Sequence, residues 1–451
     1  MKKIFTLIFA CVVAVAAMAQ SEDTSSSNAW GLSGSGTEAD PYQISTAEDF
    51  SKMADNCTSE HKGTGEYFKM MNDIDFGGSA DSPVQLPAIG KDGKAAITKI
   101  AYGFDGTFDG DNHSIKGIYH TNKENDADGK YNGIFGCIDK NGVVKNIVID
   151  KDNHIESNNY AGAIASLNMG TIDNCVNNAD VTAAGAFAGG ICGYMLNGCG
   201  TIKKCKNNGN VTAQTYASGI SGGSQSGKSI TTYAYLIDEC ENYGNVSTTN
   251  GTGSAGIAGS YSGAVKNCTN NGSIDDTKGT AKSRQYTAGI ISCPTYAMDI
   301  DGCVNNGMVK GVKNVAGIVA NVMKGDGATA TVKNCINNGA VEGEDCIGGI
   351  VANSARDNGV VTIEACTNNG VVSSTKTTEN IGNLRGSATI ALGNGNVIAE
   401  GLTHLALDPS STAINNVVAG KQNVKNGKFI KNGRLIIIKG DNEYSVDGIK
   451  F

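Results

Sequence analysis

The chain has 451 residues, with 36 basic and 44 acidic side chains and a formal net charge of −8 at pH 7. A negative net charge spread without long charged blocks argues against nucleic acid or anionic membranes as partners. The 61 glycines, against 5 prolines and one tryptophan, favour one elongated repeat structure over several globular domains or a flexible linker.

The amino terminus has the pattern of a secretory signal peptide. Two lysines precede an apolar run over residues 4–17, and Ala17-Met18-Ala19 forms a small-residue cleavage site. We predict cleavage after Ala19, which removes the two lysines and takes the net charge to −10. No later segment is apolar over the length of a membrane-spanning helix. We therefore expect a protein that is secreted or located at the cell surface, on the outer membrane.

A short helix is predicted near the start of the folded region. Ser45-Thr46-Ala47-Glu48-Asp49 has the pattern of a helix start with a capping box, and Phe50, Met53 and Ala54 make an apolar stripe after it. We expect this helix to close the open end of the first repeat, because an uncovered terminal strand exposes unpaired backbone groups.

A phrase that begins with cysteine recurs seven times between residues 175 and 366, most often as Cys-x-Asn-Asn-Gly. The spacings between successive cysteines are 30, 35, 28, 35, 32 and 31 residues. A second phrase, of small residues that end in Ile or Leu, precedes each cysteine phrase, as in Ala188-Gly-Gly-Ile191. Two markers that recur in step define a rung of about thirty residues. The isoleucines expected to form one buried column are Ile164, Ile191, Ile220, Ile257, Ile290, Ile318 and Ile350.

Each rung is predicted to contain three short strands and three corners. The alternating segment from Thr331 to Ile336 meets Asn337-Asn338-Gly339, a turn predicted to need positive φ, which Gly and Asn tolerate. One rung cannot bury its inner face alone, so rungs must stack through parallel strands about 4.8 Å apart. Eight or nine rungs predict an all-β parallel β-helix about 40 Å long.

Stacking in register places each repeated cysteine above the next one. Neighbouring Cα atoms about 4.8 Å apart are close enough for a disulfide. Opposed positions on parallel strands orient the side chains poorly for that bond, and the number of cysteines is odd. We therefore favour an internal column of buried thiols. Disulfides remain the alternative, and Cys192 with Cys199 and Cys293 with Cys303 are the pairs to test first.

A column of aromatic residues lies four residues before the repeated Ile: Tyr160, Phe187, Tyr216 and Tyr286, with Gly253 at the equivalent place in one rung. The even spacing predicts that these rings point inward with the isoleucines. We expect core or corner packing rather than a ligand-stacking platform. The Asn pairs are expected to form side-chain amide ladders rather than a binding code.

Motifs in the amino-terminal region resemble a known family. In order they are Gly34-Ser-Gly-Thr37, Asp40-Pro41-Tyr42-Gln-Ile44, Asn72-Asp73-Ile74-Asp75-Phe76, Ala88-Ile89-Gly90, Phe104-Asp-Gly-Thr-Phe-Asp-Gly110, Ile115-Lys-Gly-Ile118 and Gly133-Ile-Phe-Gly136. This order resembles the GLUG-motif proteins, adhesin-like surface proteins of gut and oral bacteria, over roughly residues 31 to 390. The resemblance implies a right-handed parallel β-helix. The chain departs from the family where Ala-Gly-Ile replaces a fuller Gly-Leu-x-Gly.

The carboxyl end changes composition after about residue 420. Residues 426–433 and 434–439 predict two strands about an Asn-Gly turn, and a third short strand follows near Tyr444-Ser-Val-Asp-Gly448. This tail resembles the C-terminal sorting domains of type IX secretion cargo, which implies contact with the export machinery at the outer membrane. A β-hairpin cap with no sorting role is the alternative.

Gly222-Gly-Ser-Gln-Ser-Gly227-Lys228-Ser229 satisfies the P-loop pattern. That motif works only with a buried strand before it and a helix after it, whose amino terminus holds phosphate. Residues 230–237 are strand-like, and the segment falls in one of the two longest rungs. We interpret it as a Gly/Ser loop and expect no nucleotide or other cofactor.

Enzymes that act on polysaccharides with paired carboxylates, or with calcium and a basic residue, are the main alternative function. Asp105, Asp109 and Asp111 lie in an Asp/Gly turn that suits a structural corner. Asp126 and Asp128 lack the bidentate Glu of a calcium loop.

The remaining residues do not suggest a catalytic or metal site. The sole tryptophan, Trp30, lies in the Ser-rich segment, whereas enzymes that grip sugar chains usually expose aromatic platforms. No histidine has metal-ligand spacing with another. We therefore assign no catalytic, cofactor-binding or metal residues. The histidines are His61, His113, His120, His154 and His404.

A long, slightly varied surface suits adhesion to glycans or to host or matrix proteins. Variation concentrates in the excursions from Ser221 to Tyr235 and from Asp275 to Tyr286, where we expect any binding face. We expect an adhesin-like, non-catalytic monomer; a polysaccharide lyase or glycoside hydrolase is the alternative. The predicted divisions are residues 1–19 (signal peptide), 20–30 (flexible Ser-rich segment), 31–160 (cap and first rungs), 161–400 (repeat β-helix), 401–420 (linker) and 421–451 (C-terminal β tail).

Overall fold

The computed structural model describes residues 28–84, 88–90, 102–119, 131–226, 234–279, 285–294, 296, 298–322, 330–354 and 360–374, with strand segments 389–392, 397–398, 426–431, 434–439 and 442–445. The predicted signal peptide and the predicted linker lie outside the described residues. No helix within the described ranges is long and apolar enough to cross a membrane.

The described chain consists mainly of short parallel strands that wind into a β-helix of about seven turns, with about 31 residues per turn. This confirms the predicted fold class. A complete rung has five strands, not the predicted three. One of the additional corners is at Asn174, whose φ of 51° ends the strand before it after three residues. One such rung contains Tyr160–Gly162, Ala165–Asn168, Thr171–Asp173, Val176–Asn177 and Val181–Ala183.

Equivalent strands stack into five parallel sheets, numbered here in the order in which a rung passes through them. Sheet 1 contains Tyr131–Asn132, Tyr160–Gly162, Phe187–Gly189, Tyr216–Ser218, Gly253–Ala255, Tyr286–Ala288, Lys313–Ala316 and Asp345–Gly348. Sheet 2 contains Phe135–Ile138, Ala165–Asn168, Cys192–Met195, Ser221–Gly223 and Ala258–Ser260, and Ile291 bridges it to Val319–Val322 and Val351–Ser354.

Sheet 3 is the longest of the five. It contains Tyr42–Ile44, Tyr67–Met70, Thr107–Asp109, Val143–Lys145, Thr171–Asp173, Thr201–Lys203, Leu236–Asp238, Gly263–Lys266, Met298–Asp301, Ala330–Lys333, Val360–Glu364 and Thr389–Leu392. Sheet 4 contains Ile74–Asp75, Ser114–Lys116, Val148–Ile149, Val176–Asn177, Lys206–Asn207, Glu241–Asn242, Thr269–Asn270, Val304–Asn305, Ile336–Asn337, Thr367–Asn368 and Val397–Ile398. Sheet 5 contains Ile155–Ser157, Val181–Ala183, Val211–Ala213, Val246–Thr248, Ile274–Asp275, Val309–Lys310, Val341–Gly343 and Val372–Ser374.

The predicted capping helix is present at Ala47–Asn56. The backbone N–H of Asp49 donates to Thr46 Oγ1 at 3.1 Å, and the Asp49 carboxylate accepts from the Ser45 N–H at 3.1 Å. The first bond satisfies a backbone donor that the first turn of a helix leaves without a partner. The second ties the residue before the N-cap to the helix. The predicted stripe of Phe50, Met53 and Ala54 is buried.

Trp30 belongs to the amino-terminal cap, so the folded region begins before the predicted boundary at residue 31. Its side chain is 1% exposed, its ring centroid lies 4.8 Å from that of Phe68, and its Nε1 donates to Glu66 at 2.9 Å. Ser33 accepts a backbone hydrogen bond from Gln43 at 2.8 Å, which covers the outer edge of sheet 3.

The repeated isoleucines form one buried column, as predicted. All seven have zero exposure and belong to one continuous core. Each lies at the corner between sheets 1 and 2. The backbone N–H of every one before Ile350 donates to the carbonyl of the equivalent isoleucine in the next rung, as from Ile191 to Ile220 at 3.1 Å.

The described part of the carboxyl tail forms an antiparallel sheet of Asn426–Lys431, Arg434–Lys439 and Asn442–Ser445. Lys431 pairs with Arg434, and Lys439 pairs with Asn442. This is the strand order predicted for the tail, and its sorting role stays a prediction.

Candidate functional site

The first Asn of each repeated pair forms a ladder inside the rod. Asn207 Nδ2 donates to Gly209 O and to Asn242 Oδ1, each at 2.8 Å, and Asn207 Oδ1 accepts from Asn177 Nδ2 at 2.8 Å. The predicted amide ladder is confirmed. Because these amides hydrogen-bond one another in the interior, they are structural and do not read a ligand. The members of this inner ladder, each with zero exposure, are Asn177, Asn207, Asn242, Asn270, Asn305, Asn337 and Asn368.

Positive φ angles fall immediately before the cysteine and not in the Asn-Asn-Gly turn, where the prediction placed them. The turn needs glycine for another reason: a Cβ atom on Gly209 would lie 1.8 Å from Ala179 O of the neighbouring rung. The left-handed residues are Asn174, Lys204, Glu239, Asn267, Gly302, Asn334 and Ala365, with φ between 50° and 66°. They form the corner between sheets 3 and 4.

The seven repeated cysteines form the predicted buried column, and each is at most 1% exposed. The Cys175 N–H donates to Cys205 Sγ at 3.4 Å, and Cys205 Sγ in turn donates to Lys203 O at 3.2 Å. The thiol therefore serves as a small polar link between rungs. Burial raises the pKa of the Cys175 thiol well above its ordinary value, which disfavours the nucleophilic thiolate at that position.

The cysteine pairs singled out for disulfides are not bonded to each other in the structure. Cys192 and Cys199 are separate thiols, and Cys303 is a thiol as well. Burial raises the pKa of Cys192 to about 12. Cys199 is only half-buried, and burial raises its pKa too.

The aromatic column is stacked but does not point into the main core. The rings of Tyr160 and Phe187 are 5.6 Å apart and 6° from parallel, and those of Phe187 and Tyr216 are 5.1 Å apart and 10° from parallel. Tyr160 and Phe187 pack with Leu167 in a separate apolar cluster at the corner of sheets 1 and 2, and Tyr286 lies in another small cluster with Ala288 and Cys293. The inward prediction is wrong because the strand ends at Gly162, so alternation does not carry across the corner to Ile164.

The corner packing expected for these rings is observed. Because Tyr160 and Tyr216 stack on Phe187 from the rungs on either side, both faces of the Phe187 ring are covered. Stacking on a sugar needs an open ring face, so the column is a poor glycan platform.

The acidic candidates of the Asp/Gly turn are engaged in structural contacts. Asp105 is 7% exposed and accepts from Thr64 Oγ1 at 2.9 Å. Lys145 Nζ lies 3.2 Å from Asp109, and Lys69 Nζ lies 3.0 Å from Asp111. Burial raises the pKa of Asp109, but hydrogen bonds from Asn146, the Asp111 N–H and Lys145 outweigh it and hold that pKa below its ordinary value. A general acid would need the opposite shift. The candidates Asp126 and Asp128 lie outside the described residues.

The described histidines do not cluster with one another. His113 Nδ1 lies 3.3 Å from Asp73, while His154 Nε2 lies 3.1 Å from Glu156. Within the described ranges, no group of three His, Cys, Asp or Glu side chains could hold a metal ion. His120 and His404 fall outside those ranges.

The first part of the apparent P-loop belongs to sheet 2. Ser221–Gly223 is a strand there, and the Gln225 N–H donates to Met195 O at 2.8 Å. This backbone is therefore used for rung pairing. Residues 227–233, which include Lys228, are outside the described part of the chain.

Sequence reasoning missed a row of alternating charge along sheet 3. The row could have been found by reading the residue two positions before each cysteine. Ion pairs join neighbouring members of the row. Lys145 Nζ lies 3.2 Å from Asp109, Lys203 Nζ lies 3.1 Å from Asp173, and Lys333 Nζ lies 3.5 Å from Asp301. Its members in register are Lys69, Asp109, Lys145, Asp173, Lys203, Asp238, Lys266, Asp301, Lys333 and Glu364.

A buried carboxylate is the second feature that sequence reasoning missed. Asp276 has zero exposure. It lies in an inward-facing column of equivalent positions, which Ala213 and Thr248 occupy in the two preceding rungs. It accepts from the Thr248 N–H at 2.8 Å, Thr248 Oγ1 at 3.0 Å, Ser254 Oγ at 2.7 Å and Thr287 Oγ1 at 3.3 Å. Burial raises the pKa of Asp276, although these hydrogen bonds oppose the shift.

No family model matches the chain. A protein of Evansella cellulosilytica named "Putative Gly-rich membrane protein" is 32% identical over 143 residues, which is 31% of this chain and 15% of that relative. A crystal structure from Bacteroides ovatus, titled "putative immunoglobulin A1 protease", aligns over 86% of this chain and 85% of its own, with 18% identity and a TM-score of 0.35.

Proposed function

We propose that the protein is an exported, non-catalytic β-helix that binds glycans or extracellular proteins at the cell surface. The use of the candidate acidic residues in structural contacts carries this proposal. Asp105, Asp109 and Asp111 contact side chains of neighbouring segments and leave no carboxylate pair poised for acid–base chemistry.

The two long excursions are the proposed binding regions. The first leaves sheet 2 after Gly223 and returns at Leu236. At its base, Tyr235 Oη accepts from the Gly198 N–H at 2.7 Å and donates to Gln225 O at 3.2 Å. The second runs between sheets 5 and 1, from Asp275 to Tyr286. An invariant interior with variable excursions is the usual arrangement of a binding solenoid.

Binding of the mature protein to a glycan array and to mucin tests the proposal. We expect retention on at least one surface, and loss of that retention when residues 225–234 are replaced by a short Gly-Ser link. Replacement of residues 278–284 tests the second excursion in the same way. Absence of binding to every surface would contradict the proposal.

A polysaccharide lyase or glycoside hydrolase is the alternative. Incubation with a panel of polysaccharides and detection of new reducing ends or unsaturated products would reveal it. The Asp105→Asn and Asp109→Asn variants then test the carboxylates named above. We expect no product from the unmodified protein.

We also propose that residues 1–19 direct export and that residues 421–451 sort the protein to the surface. The antiparallel tail strands support a separate folding unit, and the name of the Evansella relative accords with a membrane-associated location. Deletion of residues 421–451 should leave a stable rod that accumulates in the periplasm. Recovery of the truncated chain at the surface in normal amounts would contradict the sorting role, and its aggregation would indicate a structural cap.

A further inference from the structure

The row of alternating charge on sheet 3 has ten members, one in each of ten successive strands. Lys and Asp or Glu alternate without interruption from Lys69 to Glu364. The side chains remain open to solvent: Lys203 is 42% exposed and Asp173 is 27% exposed. The residues beside the row include the short side chains of Thr171, Thr201 and Ala264. At the equivalent position Asp299 adds a carboxylate, 3.5 Å from Lys266 Nζ and 3.8 Å from Lys333 Nζ.

A row of this kind does not attract partners from a distance. Charges of one sign recur every second strand, about 10 Å apart, and opposite charges lie between them. The fields of neighbouring charges therefore cancel within a few ångströms of the surface. Polyanions and single ions gain little here, whereas a surface with the same repeat can match the row in direct contact.

We propose that the partner is a second copy of this chain, packed antiparallel across sheet 3. A twofold axis perpendicular to the rod reverses the order of the row in the second copy. The first member of one copy therefore faces the last member of the other, and the second faces the ninth. Because the row has an even number of alternating members, every such pair joins opposite charges. The pairs are Lys69 with Glu364, Asp109 with Lys333, Lys145 with Asp301, Asp173 with Lys266 and Lys203 with Asp238.

The antiparallel arrangement is selected over the parallel one by the same pattern. Two parallel rods in register would place Lys against Lys and Asp against Asp. The antiparallel contact is self-complementary, as a twofold interface requires. Lys203 and Asp238 lie next to the twofold axis, so a change at either residue acts twice.

The contact area predicts a weak dimer. Ten strands about 4.8 Å apart and roughly 10 Å wide cover roughly 400 Å² on each rod, below the usual size of a stable interface. We expect roughly millimolar affinity in dilute solution, which becomes relevant where rods are crowded on a surface. Exposed charge pairs weaken with salt, so the association should weaken too.

Two charge variants separate dimerisation from stability of the rod. Lys203→Glu creates two like-charge neighbours along the row, with Asp173 and Asp238, and also places Glu opposite Asp238 of the second copy. The double variant Lys203→Asp with Asp238→Lys also creates two like-charge neighbours along the row. It nevertheless keeps opposite charges across the twofold axis.

Sedimentation equilibrium of the full mature chain at low and high salt, together with melting temperatures, completes the test. We expect the wild type to dimerise, Lys203→Glu to weaken the association constant about tenfold or more, and the double variant to restore it. The two variants should melt at similar temperatures. A wild type that stays monomeric at about millimolar concentration in low salt, or equal association of the two variants, would overturn the proposal.

Discussion

Gly190 lies against the amide of Asn207 on the opposite side of the same rung: a Cβ atom on Gly190 would be 2.3 Å from Asn207 Cγ. The same contact joins Gly219 to Asn242 and Gly256 to Asn270. The glycine belongs to the marker that ends in Ile, and the asparagine belongs to the cysteine phrase. The two markers recur in step because they touch across the interior of the rod.

Gly190→Ala should destabilise the rod by about 2 kcal/mol or more, because the added methyl group overpacks the ladder amide. Gly65→Ala is the matched control: Gly65 has a φ of 75°, and a Cβ atom added there would meet nothing within 4 Å. Its substitution adds only backbone strain, about 1 kcal/mol. Urea unfolding compares the two, and an equal loss of stability would refute the packing argument.

Asn207→Ala should cost about 3 kcal/mol, because it leaves buried amide groups of Asn177 and Asn242 without their partners. Asn208→Ala is the control one residue later. The Asn208 side chain is exposed, and its Nδ2 donates to Asn178 Oδ1 of the neighbouring rung at 2.7 Å. We expect its loss to change the free energy of unfolding by less than about 0.5 kcal/mol. The free energies of unfolding decide the question, and similar values for both variants would count against an essential inner ladder.

Ala365→Gly should stabilise the protein by about 0.5 to 1 kcal/mol, because Ala365 has a φ of 50° that glycine adopts without strain. The same substitution at Ala340, which has no positive φ, should destabilise by a similar amount through the greater freedom of the unfolded chain. Chemical denaturation reports the sign of each change. Two changes of the same sign would contradict the role of the left-handed corner.

Asp276→Asn tests the buried carboxylate. Since burial raises the folded-state pKa of Asp276, the native state binds a proton more readily than the unfolded chain. The contribution of Asp276 is therefore most favourable below its unfolded pKa of about 3.9 and is lost as the pH rises through the folded value. We expect the melting temperature of the variant relative to wild type to increase between pH 4 and pH 8. A difference that does not change with pH would refute this assignment.

The half-buried Cys199 should react with a thiol reagent in the native protein faster than the fully buried Cys192, whose pKa is about 12. Cys199→Ser should remove the fast phase of labelling, and Cys192→Ser should leave it unchanged. Mass spectrometry of labelled peptides under non-reducing conditions identifies the reacting site. A Cys192–Cys199 disulfide in those peptides would contradict the thiol assignment.

The sequence by itself determined the rung length, the parallel β-helix, the capping helix and the buried columns of Ile, Cys and Asn. These features follow from repetition, because residues that recur in step every thirty or so positions can satisfy their buried groups only by stacking on their equivalents.

Only the tertiary structure decided which residues away from the Ile and Cys markers lie side by side in neighbouring rungs. Spacings from 28 to 35 residues hide that register, because excursions of different length separate equivalent positions. The direction of the Tyr160 ring and the hydroxyl cage of Asp276 both depend on it. Each is set by contacts at the corners and with neighbouring rungs. The alternation of residues along one strand does not contain that information.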